Sequence, residues 1–350
     1  MSNISIGFEY FRPMILVTGG TGLLGSHLLM HLLKKGEHVK AIYRDPNSIK
    51  EVEDLFSFYS EDSGLFNKII WVQADITDIP SLEKAFDGVT HVYHTAALIS
   101  FNPAAWDNLQ KINVEGTANI VNFCLAKKIS KLCYVSSIAA IGKSTNNEMV
   151  SEINDWIDSD ANVYSISKHD AEMEVWRGSQ EGLNVVIVNP GVILGPGNWN
   201  RGSGRLFKNA ARGMRSYFPG GTGFITVYDV VKIMIDLMNS NIVNERFITV
   251  AENLSYKEIF SRISVSLGLA VPYKKIPLWV LEFLWRLDWL GHTLFGMKRK
   301  LTKVTVKSLR NRQTYSHKKV IEALQYKFED LGPCIDLTCK FLKIKYPKEF

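Results

Sequence analysis

A glycine-rich turn near the start of the chain, Thr18-Gly-Gly-Thr-Gly-Leu-Leu-Gly25, restricts the possible folds more than any other feature. The apolar run Met14–Thr18 before it is typical of a buried strand, and the pattern from Leu23 to Lys35 after it predicts a helix. Glycine suits such a turn because the backbone bends tightly, approaches a pyrophosphate and lets the helix pack on the strand. The turn therefore predicts a nucleotide-phosphate site at the start of the first helix.

Short β-branched runs alternate with longer helical patterns through the first half of the chain. The predicted strands that follow the first are 39–43, 68–73, 91–95, 131–136 and 184–189. Strands that are apolar throughout and separated by helices are typical of a parallel sheet covered on both faces. The sequence predicts an α/β fold, a doubly wound parallel sheet (Rossmann) with a smaller, mainly helical C-terminal substrate lobe.

The pattern changes after Pro190, where a stretch rich in Gly, Asn and Arg begins a different organisation. The helices predicted beyond it are 204–213, 227–240, 255–267, 277–295, 301–311 and 317–325. The domains predicted from this change are a dinucleotide-binding domain over 14–190, with 225–250 packing back on it, a substrate lobe from 191–224 and 251–350, and an N-terminal extension, 1–13.

Charge is distributed unevenly along the 350 residues, whose formal net charge is +6. Residues 298–350 contain 14 Lys and Arg against 5 Asp and Glu. This excess favours a solvated helical surface, with peripheral contact between the basic C-terminal lobe and an anionic membrane, or an acidic ligand, as alternatives. We predict no nucleic-acid partner, because the basic region lacks an aromatic-basic motif that would stack bases.

The segment Pro277–Leu290 is the most apolar and aromatic part of the chain. Its three charged residues, Glu282, Arg286 and Asp288, argue against a membrane span. Three interpretations stay open: packing in the core of the small lobe, a wall of an apolar substrate pocket, and an interfacial membrane helix.

Cysteine usage and the N-terminus indicate a cytoplasmic protein. The four cysteines have neither a CxxC pair nor metal-ligand spacing with a histidine, so we expect buried thiols in a reducing compartment and no metal site. No signal-peptide pattern is visible at the N-terminus.

The residues after the second predicted strand, Tyr43-Arg44-Asp45-Pro46, bear on the choice of dinucleotide. An arginine there can pair with a 2′-phosphate, and Lys50 adds positive charge, whereas Asp45 could accept hydrogen bonds from ribose hydroxyls. The pattern favours NADP(H) over NAD(H) and leaves NAD(H) as the alternative. Asp75, after the third strand, is interpreted either as an acceptor for the adenine amino group or as a loop cap.

Tyr164 and Lys168 lie one helical turn apart, on one face of a predicted helix. A lysine beside a phenol favours the phenolate, so we expect the Tyr164 pKa to be lowered from about 10. The tyrosine could then act as general acid or base towards a carbonyl or hydroxyl oxygen. Two other pairs share the spacing, Tyr228/Lys232 and Tyr315/Lys319. Only Tyr164 begins a long helix after the fifth strand, which itself ends at Ser136-Ser137.

Several motifs run in a fixed order over residues 14–235. They are the glycine turn, His94-Thr-Ala-Ala97, Asn113-Val-Glu-Gly-Thr117, Ser136-Ser137, Tyr164/Lys168 and Asn189-Pro-Gly-Val-Ile-Leu-Gly-Pro196. Jointly they resemble the extended short-chain dehydrogenase/reductase superfamily (the NAD-dependent epimerase/dehydratase family). The last motif is similar to the dihydroflavonol 4-reductase and 3β-hydroxysteroid dehydrogenase branch.

The resemblance implies a catalytic triad of Ser137, Tyr164 and Lys168. Together with the residues above, it implies these cofactor contacts: Gly19, Thr21, Gly22, Leu23, Leu24, Gly25, Arg44, Lys50, Asp75, Ile76, Thr95, Ala96, Ala97, Tyr164, Lys168, Pro190 and Val192. Asn113 is expected either to fix backbone or to relay protons, and Asp229 to be architectural.

The resemblance also implies an activity, that of an NAD(P)-dependent short-chain dehydrogenase/reductase. The expected reaction is reversible hydride transfer between nicotinamide and a carbonyl or secondary alcohol of an apolar, dihydroflavonol- or steroid-like small molecule, with Tyr164 as general acid/base. Ile138-Ala-Ala140 stands where dehydratases of the superfamily carry an acidic pair, which argues against water elimination. An NAD-dependent sugar-nucleotide epimerase and, more remotely, a non-catalytic dinucleotide sensor are the alternatives, and a homodimer is left open.

Overall fold

The computed structural model describes residues 13–59, 64–144, 148–157, 161–295, 306 and 309–347. The strands are β1 (Met14–Thr18), β2 (His38–Tyr43), β3 (Ile70–Gln73), β4 (Val89–His94), β5 (Lys131–Val135), β6 (Val185–Pro190), β7 (Val192–Leu194), β8 (Ser216–Tyr217), β9 (Gly221–Thr226), β10 (Glu245–Thr249), β11 (Glu252–Ser255) and β12 (Lys274–Lys275). The helices are α1 (Leu23–Lys34), α2 (Asn47–Tyr59), α3 (Ile79–Ala85), α4 (Trp106–Leu109), α5 (Gly116–Ala126), α6 (Val163–Gln180), α7 (Gly204–Ala211), α8 (Val227–Asn239), α9 (Tyr256–Leu267), α10 (Leu278–Phe295), α11 (Lys318–Leu324) and α12 (Leu331–Lys345).

Seven of the described strands form one parallel sheet in the order β3-β2-β1-β4-β5-β6-β10. Helices cover both faces, so the predicted doubly wound α/β fold is confirmed. The strand order reverses between β1 and β4, and in open parallel sheets ligands bind at the carboxyl ends of strands at such a reversal. The glycine turn after β1 lies at this edge.

Alternation along each strand explains why the sheet is buried on both sides. In β6, Val186 and Val188 belong to the apolar cluster that includes residues of α1 and α8, whereas Val185 and Ile187 belong to the cluster with α5 and α6. Successive side chains of a strand point to opposite faces, so a strand between two helical layers needs apolar residues at every position.

A separate apolar cluster supports the C-terminal part. It joins the small sheet β7-β9-β11 to α7, α9 and α12 through Phe207, Phe224, Ile259, Phe260 and Ile335. None of the helices within the described ranges is long and apolar enough to cross a membrane.

Beyond Pro190 the sequence pattern predicted helices alone, so strands β7 to β12 and helix α12 were not predicted. Among these strands, β10 pairs in parallel with β6 and completes the main sheet. Helix α12 begins with Leu331, Gly332 and Pro333, and it accommodates the glycine and the proline in its first turn, where the missing proline N–H needs no partner. Most of the predicted helix 301–311 lies outside the described residues.

Candidate active site

The glycine turn is so close-packed that two of its glycines cannot carry a side chain. Gly19 has a positive φ of 71°, and a Cβ there would lie 2.6 Å from the Ala96 nitrogen. A Cβ on Gly25 would lie 2.2 Å from the Gly19 carbonyl oxygen. The turn closes through a hydrogen bond of 2.9 Å from the Gly22 nitrogen to that same oxygen.

Helix α1 starts at the turn with an open N-terminus. Its first residues are Leu23 and Leu24, its N-cap is Gly22, and no side chain of the described residues caps it; its first turn has no acidic residue. Unsatisfied N–H groups and the positive end of the helix dipole favour an anion at this position. The bare backbone from Gly19 to Gly25, with the half-buried Thr21 between, therefore fits the pyrophosphate of a dinucleotide.

A buried histidine connects β1 to β4 beneath the turn. His94 Nδ1 lies 2.6 Å from Thr18 Oγ1, and His94 Nε2 lies 3.0 Å from Thr117 Oγ1. Burial lowers the pKa of His94 to about 3, so the ring is neutral at physiological pH. Thr95 Oγ1 donates to the Thr18 carbonyl at 2.7 Å. These bonds hold the predicted cofactor residues Thr95–Ala97 against the glycine turn.

The structure separates the charged residues expected to select the dinucleotide. Arg44 lies at the sheet edge with its side chain 62% exposed, and its NH1 is 3.7 Å from Asp75 Oδ2. Asp45 Oδ1 instead accepts a hydrogen bond of 3.0 Å from the Asn47 nitrogen at the start of α2. Lys50 forms an ion pair with Glu53 of its own helix at 3.0 Å. Arg44 is therefore better placed than Asp45 to meet a group bound at the end of β2.

The loop after β3 shows that Asp75 does act as a loop cap. Its Oδ1 accepts hydrogen bonds of 2.9 Å from both the nitrogen and the hydroxyl of Thr77. Ile76 is buried, and a Cβ on Gly116 would lie 2.6 Å from its Cδ1, so α5 packs directly on this loop. Asp75 and Ile76 thus have fixed positions beside Arg44.

Helix α6 brings Tyr164 to Ser137, two of the three residues of the predicted triad. Asn162 caps it by accepting a hydrogen bond of 2.9 Å from the Ser165 nitrogen, which places Tyr164 in the first turn. The Tyr164 hydroxyl hydrogen-bonds with the side chain of Ser137, just beyond the end of β5. The neighbouring Ser136 instead donates to Glu172 Oε2 at 2.6 Å. Of the two serines, Ser137 is therefore the one that faces the phenol.

Lys168 is buried and does not act on the phenol as expected. Its Nζ donates to Tyr134 Oη at 2.7 Å and to the Val135 carbonyl at 2.9 Å. Burial lowers the pKa of Lys168 to about 7, although the charge of Glu172 raises it. Burial also raises the pKa of Tyr164 to about 12, while the hydrogen bond with Ser137 lowers it. The expected lowering of the tyrosine pKa was wrong for this state, because desolvation outweighs the effect of a lysine that bonds elsewhere.

A second buried network was missed by the sequence analysis. Glu172 is fully buried and accepts hydrogen bonds from Ser136, from Asn189 at 2.8 Å and from Trp176 at 3.3 Å; Arg246 of β10 forms an ion pair with it at 3.0 Å. The sequence held one signal, the i,i+4 spacing from Lys168, which puts both side chains on one face of α6. Recognising Arg246 would have required recognising β10.

Asn113 holds the backbone of Leu98 in place, one of the two roles expected for it. Its Oδ1 accepts a hydrogen bond of 2.7 Å from the Leu98 nitrogen, and its Nδ2 donates to the Leu98 carbonyl and to Ser167 Oγ, each at 3.0 Å. These bonds anchor the segment that leads to Phe101, whose ring lies edge-on to Tyr164 with 5.4 Å between centroids. Phe101 is 52% exposed, so it forms an apolar side of the site next to the phenol.

The other predicted residues lie apart from the triad or have structural roles. Tyr228 Oη is 2.5 Å from Tyr59 Oη, and Tyr315 donates to Gln313 at 3.1 Å, so neither of the other tyrosine–lysine pairs joins Ser137. Asp229 binds Thr226, Tyr326 and the Glu329 nitrogen, consistent with an architectural role. Pro190 ends β6, and Val192 begins β7.

Thiols and metal ligands add nothing to this site. The four cysteines, Cys124, Cys133, Cys334 and Cys339, are free and buried, as expected. Throughout the described ranges no group of three His, Cys, Asp or Glu side chains is placed to hold a metal ion.

The chain is similar to several known enzymes. Sterol demethylase protein B from Methylococcus capsulatus is 30% identical over 269 residues, which cover 75% of this chain and 77% of that protein. A putative dihydroflavonol 4-reductase from Synechocystis is 30% identical over 279 residues, which cover 77% of each. Tetraketide alpha-pyrone reductase 2 from Arabidopsis thaliana is 29% identical over 259 residues, covering 70% of this chain and 79% of that one.

Solved structures extend the likeness of the fold over nearly the whole chain. A UDP-glucose 4-epimerase from Thermotoga maritima, with UDP-glucose bound, matches with a TM-score of 0.72 at 19% identity and covers 95% of this chain and 99% of that one. The terminal R domain of the myxalamid biosynthetic pathway matches with a TM-score of 0.77 at 19% identity, covering 96% and 91%. The family model for the NAD dependent epimerase/dehydratase family matches residues 15–250. With the glycine turn, the strand order and this match in agreement, the chain belongs to the NAD-dependent epimerase/dehydratase family.

Proposed function

We propose that this protein is an NADP(H)-preferring reductase that converts an apolar ketone or aldehyde reversibly into its alcohol. The observation that carries the proposal is the Tyr164 phenol, hydrogen-bonded to Ser137 and bordered by the exposed ring of Phe101. A protonated phenol beside an apolar surface suits a substrate whose only polar group at the reacting position is its carbonyl oxygen.

The roles of the side chains follow from their protonation states. Because the pKa of Tyr164 is raised to about 12, its hydroxyl carries a proton at neutral pH and can donate it to the carbonyl oxygen. Ser137 hydrogen-bonds to that oxygen and holds it at the phenol. A bound nicotinamide dinucleotide supplies the hydride that the carbonyl carbon accepts. Solvent then returns the proton to the tyrosinate, while Lys168, bonded to Tyr134 and the Val135 carbonyl, holds the end of β5 behind Ser137.

The names of the relatives support a reductase of apolar molecules. Of the three named above, two are called reductases, and the third is named for a sterol. Their similarity spans more than two thirds of each chain, so it includes part of the C-terminal region as well as the dinucleotide domain. The epimerase likeness, at 19% identity, supports the shared fold alone.

The preference for NADP(H) rests on Arg44. Its exposed guanidinium stands at the end of β2, while Asp45 is occupied by the cap of α2. A guanidinium binds a phosphate through paired, charge-assisted hydrogen bonds. We expect Arg44→Ser to weaken NADPH binding at least about tenfold and to leave NADH binding nearly unchanged. Lys50→Ser is the matched control, because Lys50 pairs with Glu53 and should affect NADPH binding less.

The decisive experiment is a titration of the purified protein with NADPH and NADH, followed by cofactor oxidation with a panel of apolar ketones and aldehydes. We expect NADPH to bind more tightly and its oxidation to depend on the ketone. Dinucleotide that stays bound and unconsumed, while UDP- or GDP-sugars raise the thermal stability, would instead identify an epimerase and overturn the proposal.

A further inference from the structure

Helix α10 exposes a continuous apolar stripe to solvent. Trp279, Phe283, Leu287, Leu290 and Leu294 are 71, 55, 46, 44 and 64% exposed. Their spacing of three or four residues aligns them along one side of the helix. A stripe of this kind is costly in water and marks a surface that meets an apolar partner.

The stripe is part of a wider exposed apolar surface on α10, which also includes Leu278, Leu284 and Trp289, 40, 45 and 49% exposed. Among its side chains, Leu281 is fully buried and faces away from the stripe. Of the charged residues, Asp288 lies on the side opposite the stripe, whereas Arg286 borders the stripe next to Trp279. Arg286 pairs with Glu282 at 3.1 Å, and Glu282 accepts a hydrogen bond of 2.8 Å from Trp285 Nε1. Most of the described apolar side chains of α10 are thus turned outward, which argues against core packing, one of the three interpretations left open for this segment.

Positively charged residues precede and follow α10 in the sequence. Directly before α10, Lys274 and Lys275 of β12 are exposed. Arg215, also exposed, lies beside this strand, because its carbonyl accepts hydrogen bonds of 3.1 and 3.0 Å from the Tyr273 and Lys274 nitrogens. None of these three cations pairs with a carboxylate of the described residues. After α10, the sequence 296–312 contains seven Lys and Arg and neither Asp nor Glu.

We infer that α10 is an interfacial helix that docks this protein on an anionic phospholipid surface. Tryptophan and leucine on one side of a helix insert at the boundary between headgroups and acyl chains, and flanking lysines and arginines bind anionic headgroups. A second copy of the chain is a poorer occupant, because two such helices packed together would bring their cationic flanks close to one another. The inference does not depend on the proposed reaction.

The test is flotation of the full-length purified protein with vesicles of phosphatidylcholine alone and of phosphatidylcholine mixed with phosphatidylglycerol. We expect binding to the anionic vesicles, weaker binding to the neutral ones, and release at high salt. Trp279→Ser with Phe283→Ser should lower the vesicle affinity at least about tenfold. Lys274→Glu with Lys275→Glu should reduce binding to anionic vesicles much more than to neutral ones.

The matched control is Val265→Ser with Ile344→Ser, two exposed apolar residues of α9 and α12 that are 67 and 62% exposed. This variant should bind vesicles like the wild type, and all variants should keep the thermal transition of the wild type. Three results would overturn the inference: no vesicle binding by the wild type, equal loss in the control, or a wild-type dimer that the α10 variant converts to a monomer while neither binds vesicles. None of these measurements involves turnover, so they stay separate from the fate of the proposed function.

Discussion

Helices α6 and α10 are both 18 residues long, but they reverse the usual relation between polarity and burial. In α6, Ser167, Lys168 and Glu172 are no more than 1% exposed. In α10, Trp279 and Phe283 are more than half exposed. Buried polar groups and exposed large apolar groups are the informative exceptions in a folded protein. The comparison therefore matches the two proposals, chemistry on α6 and contact on α10.

The buried charged groups of α6, Lys168 and Glu172, are stable because each has hydrogen-bonding or ionic partners. Burying an ion costs several kcal/mol unless hydrogen bonds and an opposite charge compensate it. Lys168 has Tyr134 and the Val135 carbonyl, and Glu172 has its ion pair with Arg246. The exposed apolar side chains of α10 are not covered by other residues of the described chain. We therefore infer that a partner outside the molecule covers them, so α10 is an interaction surface whereas α6 is an interior site.

The largest effect should come from removing one hydroxyl of α6. We expect Tyr164→Phe to lower the turnover number about 10²- to 10⁴-fold, because the carbonyl oxygen loses its proton donor. Cofactor affinity should hold, as measured by titration. Tyr315→Phe is the control, since Tyr315 has the same spacing to a lysine but hydrogen-bonds to Gln313. A turnover number for Tyr164→Phe within about twofold of the control would remove Tyr164 from its role.

The next largest effect should come from breaking the buried ion pair between Glu172 of α6 and Arg246 of β10. Glu172→Gln leaves Arg246 without its carboxylate, and we expect a loss of about 3 kcal/mol in the free energy of unfolding, measured by chemical denaturation. Glu174→Gln is a control on the same helix, because its partner Arg177 is partly exposed and such pairs contribute less than about 1 kcal/mol. Equal losses in the two variants would mean that burial does not distinguish these ion pairs.

The parallel sheet and the residues around Tyr164 on α6 could be predicted from the sequence. The apolar strands and the glycine turn are local signals, and each corresponds to an element of the structure. Local propensity and tertiary packing agree here, so a pattern read over a few residues is sufficient. The choice of Ser137 over Ser136 came from the family resemblance, and the hydrogen bond from Ser136 to Glu172 gives its physical reason.

Strand β10, the pKa of Lys168 and the exposure of α10 could not be predicted, because they depend on contacts between distant parts of the chain. Glu245–Thr249 begins with two charged residues and is a strand only because β6 pairs with it. The partners of Lys168 lie on β5, so the lysine pKa could not be deduced from the spacing to Tyr164. The sequence of α10 is equally compatible with a core helix, and only its exposure in the folded chain distinguishes the two.

A smaller effect concerns acid stability. Burial lowers the pKa of His94 to about 3 and that of His27 to about 4, from an ordinary value of 6.5. Between pH 6.5 and about 4 the unfolded chain binds protons that the folded chain does not, so the free energy of unfolding falls as the pH falls. Each histidine contributes up to about 1.4 kcal/mol per pH unit. His94→Gln should therefore show a shallower decline in denaturation midpoints across this range, and a slope identical to that of the wild type would contradict neutral burial of His94.

The smallest effect is the sharpest test of the exposed helix. Phe283→Ala removes a large side chain from α10, yet we expect the free energy of unfolding to change by less than about 0.5 kcal/mol, because the ring is 55% exposed and loses little packing. Val175→Ala removes fewer atoms from the fully buried face of α6 and should cost about 2 kcal/mol. Denaturation curves without lipid measure both. If Phe283→Ala costs as much as Val175→Ala, the stripe is packed in solution, and neither the contrast between the helices nor the membrane contact of α10 would stand.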